Sequence, residues 1–353
     1  MRMLLSTRIA ASVMVVLLVG SFAACGSSSS GSQSSVVSTT SAPSSTTSGS
    51  SSTSAALDVS SPGASSGCPS SACTAVVALV AAAPQIHAVP PNLQPPIQDA
   101  PHDLQVPAGG QCVPLVAGIT GSDVCQYATG SSASAPTLVL FGDSHAWMWS
   151  TAMATVARQA GYNMDLIYKA SCHLPLVDFA NTPGGASNAQ CAQWKQAAVD
   201  WINKSNPSLV IATTGDHAIA TAAGPPMSQA TYSKGLAALL AKISKAGRHI
   251  VVLGDIPELS QDGPTCLAAH ESNVSACSTS TSQAVPAANQ QAEADAASQS
   301  GASFVYVIPW LCTAATCPAV IGKYGVYQDQ FHITSTYANS LADVLQNALG
   351  LAG

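Results

Sequence analysis

The chain has 353 residues, 47% of them apolar and only 8% charged, and its net charge is −6. With no basic run or stripe it is a poor match for a nucleic-acid binder. Its eleven cysteines point to an oxidising compartment rather than to the cytosol.

The N-terminus reads MRMLLSTRIAASVMVVLLVGSFAAC. Arg2 and Arg8 form a short basic region, residues 9–19 are mostly apolar, and small residues precede Cys25. This order predicts an export signal over residues 1–24, too short to read as a spanning helix. Residues 22–25, FAAC, are similar to a bacterial lipobox. That similarity implies a lipidated Cys25 as the mature N-terminus and the outer face of the cytoplasmic membrane as the location; the alternative is a cleaved signal and a secreted chain. Residues 25–67 are nearly all Ser, Thr, Gly and Ala, too apolar-poor to offset ordering entropy, and predict a disordered tether. The G-x-S-x-G match at Gly63 to Gly67 has no strand before it and no helix after it, so nothing would hold its serine in a strained turn.

Residues 68–133 read as an extended, Pro-rich lead-in that packs on the domain behind it. An apolar run lies near 68–83, and the Pro-rich stretch 84–110 is expected to be extended. From residue 134 to 353 the pattern alternates. Continuous apolar runs predict strands at 137–141, 164–168, 208–212, 249–253 and 303–308, as expected for strands covered on both faces. Helices are predicted at 146–160, 189–203, 228–246, 283–299 and 335–349, with Gly161, Gly247 and Gly301 at expected C-caps. The order predicts an α/β fold, a three-layer α/β/α sandwich around a five-stranded parallel sheet. Ligands of such sheets bind beyond the carboxyl ends of the strands.

Setting Cys25 aside leaves ten cysteines. They fall into five pairs of near neighbours: Cys68 with Cys73, Cys112 with Cys125, Cys172 with Cys191, Cys266 with Cys277, and Cys312 with Cys317. Spacing alone does not fix this connectivity. No C-x-x-C occurs, so zinc is disfavoured, and no metal or cofactor is expected.

The first predicted strand ends in Gly142-Asp143-Ser144-His145. Near the C-terminus, Asp329 and His332 stand in D-x-x-H spacing. A serine needs a base, and the base needs orienting. Ser144 as nucleophile, His332 as base and Asp329 as its partner make a possible triad. The helix start beside Ser144 can supply oxyanion donors. Asp143 is expected to shape the turn or cap the helix, and His145 to stand beside the site or make a structural bond. His173 reads as a loop residue and Asp255 as a loop-start carboxylate.

GDS after the first strand, with D-x-x-H near the C-terminus, resembles the SGNH hydrolase superfamily. LVLFGDSHA, YKASCHLP, CAQWKQAAVDWI, NPSLVIAT and LCTAATCPAVIGKYGVYQDQFHIT resemble more closely the SGNH domain fused behind multi-spanning membrane acyltransferases of actinobacteria. The Pro-rich lead-in is similar as well, and the resemblance spans about residues 84 to 350. It implies a flavodoxin-like SGNH fold and an extracytoplasmic serine O-acyltransferase working through an acyl-serine. Its acceptor would be an envelope polysaccharide and its donor a membrane acyltransferase, whose place in this chain is taken by the signal and anchor. Two blocks depart from the pattern. Ser171 stands where a glycine is usual, and Thr214-Gly215-Asp216-His217 replaces G-x-N-D, so the oxyanion candidates are Ser144, Ser171, Thr214 and His217. A carbohydrate esterase of the same fold is the close alternative. The letters also admit a two-metal phosphoesterase using Asp143, His145, Asp216, His217 and His332, or a non-catalytic glycan-binding lipoprotein.

Overall fold

A computed structural model describes residues 70–179, 185–215 and 227–352. The segments expected as signal and tether, with Cys25 and Cys68, and also Asp216 and His217, lie outside these residues. Among the described residues no helix is long and apolar enough to cross a membrane.

The central sheet has seven strands, not five. They are β1 (Gln111–Pro114), β2 (Asp123–Tyr127), β3 (Thr137–Gly142), β4 (Asn163–Tyr168), β5 (Leu209–Thr213), β6 (His249–Leu253) and β7 (Ser303–Val305), in spatial order β1-β2-β4-β3-β5-β6-β7. The last five form the expected parallel set, with β3 flanked by β4 and β5. Strand order reverses beside β3, which places the end of β3 at the topological switch point where doubly wound sheets bind ligands. The two extra strands come from the lead-in. They pair antiparallel with each other and, through β2, with β4. Cys112 and Cys125 face one another across that hairpin and are bonded.

The apolar runs are continuous because both faces are covered. Leu138, Leu140, Met164, Leu166 and Ile211 share one core with Met148, Trp149 and Met153 of helix α2 (Ser144–Gln159). Val139, Phe141, Ile167, Val210 and Val252 share the other with Trp194 of α3 (Asn188–Ser205) and Leu236 and Leu239 of α4 (Gln229–Ile243). Side chains alternate between the faces with the period of two that a strand imposes. Helix starts follow their caps. Ser187 and Gln190 form a reciprocal capping box, and Ser228 caps α4. Helix α5 (Ala287–Ser300) ends at Gly301 in the left-handed conformation, φ 71°.

Three elements differ from the sequence reading. The run 303–308 leaves the sheet after Val305 and becomes a 3-10 turn over Ile308–Trp310. The last helix breaks at Leu341 into α6 (Ser335–Ser340) and α7 (Ala342–Ala348). The lead-in is not extended throughout, because Ser71–Ala82 is a helix, α1, capped by Ser70. The Pro-rich part then runs across the loops of the C-terminal half. Val274 donates to the His87 carbonyl, Val89 to Glu271 and Gln94 to Lys323, and Gly325 donates back to Gln94. Further on, Ser335 donates to the Asp103 carbonyl, Gln105 to the Ser335 hydroxyl and Thr336 to the Asp103 carboxylate.

Four disulfides join Cys112–Cys125, Cys172–Cys191, Cys266–Cys277 and Cys312–Cys317. Cys73 is also disulfide-bonded.

Candidate active site

The turn that ends β3 is constrained by its neighbours. A Cβ on Gly142 would lie 1.9 Å from the Thr213 carbonyl oxygen of β5, so only glycine fits there. Asp143 follows as the N-cap of α2, its Oδ1 accepting from the His145 amide at 2.9 Å. Ser144 is thereby the first helical residue, where backbone N–H groups have no partner within the helix.

The loop that follows the short antiparallel pairing of Val320–Ile321 with Tyr324–Gly325 brings the far end of the chain to this point. Asp329 accepts from the amides of Phe331 at 2.7 Å and His332 at 2.8 Å. Its Oδ2 also accepts from His332 Nδ1 at 2.8 Å, and His332 Nε2 lies 2.8 Å from Ser144 Oγ. With the Nδ1 proton directed at Asp329, Nε2 is the acceptor for the serine hydroxyl. Burial works to raise the Asp329 carboxyl, but the hydrogen bond and charge of His332, with the two amides, hold it below its usual range. His332 and Asp329 are 18% and 33% exposed, so the group is reachable from solvent.

Asp143 does more than cap. Its Oδ2 accepts from His173 Nδ1 at 2.9 Å, from the Thr214 hydroxyl at 2.7 Å and from the Gly215 amide at 3.0 Å. Burial alone would raise this carboxyl, but the His173 bond, the charges of His145 and His173 and the His145 amide hold it far below the usual carboxylate range. One buried carboxylate therefore ties together the ends of β3, β4 and β5. The Thr214 hydroxyl also accepts from the Leu174 amide at 3.1 Å, so its proton is already committed to Asp143.

Ser171 has φ 63°, the left-handed region that glycine enters freely and other residues rarely do. A serine thus holds a glycine-like backbone in the loop where the sequence departs from the glycine pattern. That loop is fastened to α3 twice. Cys172 is bonded to Cys191, and the buried Lys195 ammonium donates to the carbonyls of His173 at 3.0 Å and Pro175 at 2.6 Å. Burial pushes Lys195 down to about 8, against the opposing pull of Asp178. Beside this loop is a cavity of about 340 Å³ lined by Ser171, His173, Asp178, Phe179, Asn188 and Gln196.

His145 is buried and pairs through Nδ1 with Asp255 at the end of β6 (2.5 Å), while its ring centroid lies 5.3 Å from that of His332. The sequence pattern places His173 and Asp255 in loops; the structure buries both within this group. The signal that could have found them was position, since each follows the carboxyl end of a parallel strand. Asp143 and His145 stand in separate imidazole–carboxylate pairs, and among the described residues no group of three His, Cys, Asp or Glu is arranged to hold a metal ion. Trp149, Met148 and Met153 are core residues, whereas Trp147 packs against Tyr168 with ring centroids 5.5 Å apart.

Among solved structures, the chain is similar to the periplasmic domain of the lipopolysaccharide acetyltransferase of Salmonella ser. Paratyphi A. Identity is 14%, the match covers 61% of this chain and 84% of that one, and the TM-score is 0.48. No curated protein matches. The family model of the SGNH domain (fused to AT3 domains) matches residues 111–347. The chain belongs to that SGNH family and is an SGNH-type acyltransferase or esterase.

Proposed function

We propose that the protein is an extracytoplasmic serine O-acyltransferase acting on cell-envelope glycans, with Ser144 as nucleophile, His332 as general base and Asp329 as its orienting partner. The observation that carries this reading is the unbroken contact series Asp329–His332–Ser144 at 2.8 Å each. His332 Nε2 takes the Ser144 proton as Oγ bonds to an ester carbonyl carbon. The tetrahedral oxyanion is met by backbone donors at the start of α2 and by Ser171. Collapse expels the donor's alkoxide, which takes the proton from His332 and leaves an acyl-serine. A sugar hydroxyl then attacks, gives its proton to His332, and leaves as the O-acyl sugar while Ser144 regains the proton.

An esterase performs the same first half and differs only in using water at the second step. The cavity beside Ser171 suits a sugar ring, with polar groups at Asp178 and Gln196 and an apolar face at Phe179, and would serve a transferase's acceptor and an esterase's substrate alike. In this reading a membrane acyltransferase of the AT3 type supplies the acyl donor, and a lipid on Cys25 holds the domain at the membrane.

The test uses purified protein, an aryl acetate and envelope oligosaccharides, with products weighed by mass spectrometry. Acylated oligosaccharide is expected with wild type and none with Ser144→Ala, which should lose more than about a thousandfold in aryl acetate turnover. Free acetate alone, whatever the acceptor, would leave the esterase. Undiminished turnover in Ser144→Ala would reject the serine mechanism.

A further inference from the structure

Three imidazoles and three carboxylates meet at the carboxyl edge of the sheet, and they pair one to one: His332 with Asp329, His173 with Asp143, and His145 with Asp255. The first pair is partly open to solvent, while the other two are buried. The catalytic reading uses only the first. The Asp143 pair also organises three strand ends. The His145–Asp255 pair joins the start of α2 to the end of β6, and its imidazole is in ring contact with the base.

Asp255 is held firmly. Its amide donates to Glu293 Oε2 at 3.0 Å, its carbonyl accepts from Gln290 Nε2 at 3.2 Å, and its Oδ1 accepts from the Ile256 amide at 2.8 Å. Burial and the Asp255 charge push the nearby Glu258 carboxyl up. A buried carboxylate one imidazole away from the base would, if unpaired, favour charge on His332. His145 touches that carboxylate directly.

We propose that His145 is a positioning residue for His332: as an imidazolium held by Asp255 it cancels that carboxylate's charge beside the base, leaving Asp329 as the carboxylate that orients and charges it. The groups facing His145 are Asp143 at the end of β3, Asp255 at the end of β6, with Glu258 and Glu293 behind it, and His332 with Asp329 on the C-terminal loop. His173 acts on the same cluster through Asp143. His145 lies in contact with one carboxylate and near a second, and its charge contributes to holding Asp143 ionised.

This inference rests on the serine mechanism proposed above, and its test separates the two. The rate of fluorophosphonate labelling of Ser144 and kcat/KM for an aryl acetate are followed against pH in purified wild type, His145→Gln, Asp255→Asn and the double variant. His145→Gln leaves Asp255 uncompensated, so the acidic limb of both profiles is expected to move up by on the order of one pH unit. His145→Gln/Asp255→Asn removes both charges and is expected to bring the limb back to within a few tenths of a unit of wild type. Asp255→Asn keeps the imidazole and is expected not to move the limb up. A packing role would lower rates in all three without this pattern of shift and restoration. An unmoved limb in a labelled His145→Gln protein overturns the inference alone, as does an upward move in Asp255→Asn, which serves equally if His145→Gln does not fold. A wild type whose Ser144 is never labelled at any pH overturns the serine mechanism, and this inference with it.

Discussion

His332 Nε2 lies 2.8 Å from Ser144 Oγ although 188 residues separate the two in sequence. The approach depends on Asp329, which fixes the loop by accepting two amides and the imidazole together. Asp329→Asn keeps the shape but offers an amide where an acceptor is needed, and favours the wrong tautomer. We expect kcat to fall by on the order of a thousand- to ten-thousandfold with KM little changed, measured by steady-state hydrolysis of an aryl acetate.

Asp143 makes acid stability a readout of the site. Both Asp143 and Asp329 are held below their usual 3.8 in the folded protein. The unfolded chain takes up these protons near 3.8 and the folded one only at lower pH. The stabilisation is therefore fully present above the unfolded value and is lost as pH falls through the folded one. Thermal unfolding is expected at lower temperature at pH 3 than at pH 6. Asp143→Asn should cost on the order of 2–4 kcal/mol at pH 6, because His173 and Thr214 lose a charged acceptor. It should also flatten the dependence between the two pH values, which calorimetry at each pH would check.

Ser171 tests whether the backbone or the hydroxyl of the second block matters. Ser171→Gly removes the strain of φ 63° but adds freedom to the unfolded chain, so stability should change by less than about 1 kcal/mol. Activity within about threefold of wild type is the outcome expected for a backbone donor. A loss of a hundredfold or more would assign the oxyanion contact to the hydroxyl.

The bond between Cys172 and Cys191 anchors the loop that carries Ser171 and His173. Replacing both by serine should lower stability by about 2–4 kcal/mol. The loop remains tied by Lys195, so we expect kcat to fall about tenfold rather than vanish, with the remaining activity sensitive to mild denaturant. Urea titration followed by fluorescence and by activity would show the activity midpoint preceding the unfolding midpoint.

The parallel strands were legible because burial on both faces leaves an unbroken apolar run, as in TLVLF or HIVVL. The hairpin of β1 and β2 was not, because QCVP is exposed along its length and DVCQY carries polar residues at an edge-proximal position. Such strands are specified by pairing, which a local pattern does not record. Ser144, Asp329 and His332 stood out because two short motifs at opposite ends of the domain share a known order. His173 and Asp255 did not, since their partners are 30 and 110 residues away. These two imidazole–carboxylate pairs are created by the crossovers that bring strand ends together, so they exist only at the level of topology.

The threading of residues 87–105 across the C-terminal loops has a practical corollary. The matched family region starts at residue 111, and a recombinant fragment cut there would forfeit the bonds from Asp103 and Gln105 to Ser335 and Thr336, three and four positions past the base. Such a trimmed fragment would keep every residue of the triad yet lose the brace beneath one of them. The boundary for cloning belongs ahead of the Cys73 helix.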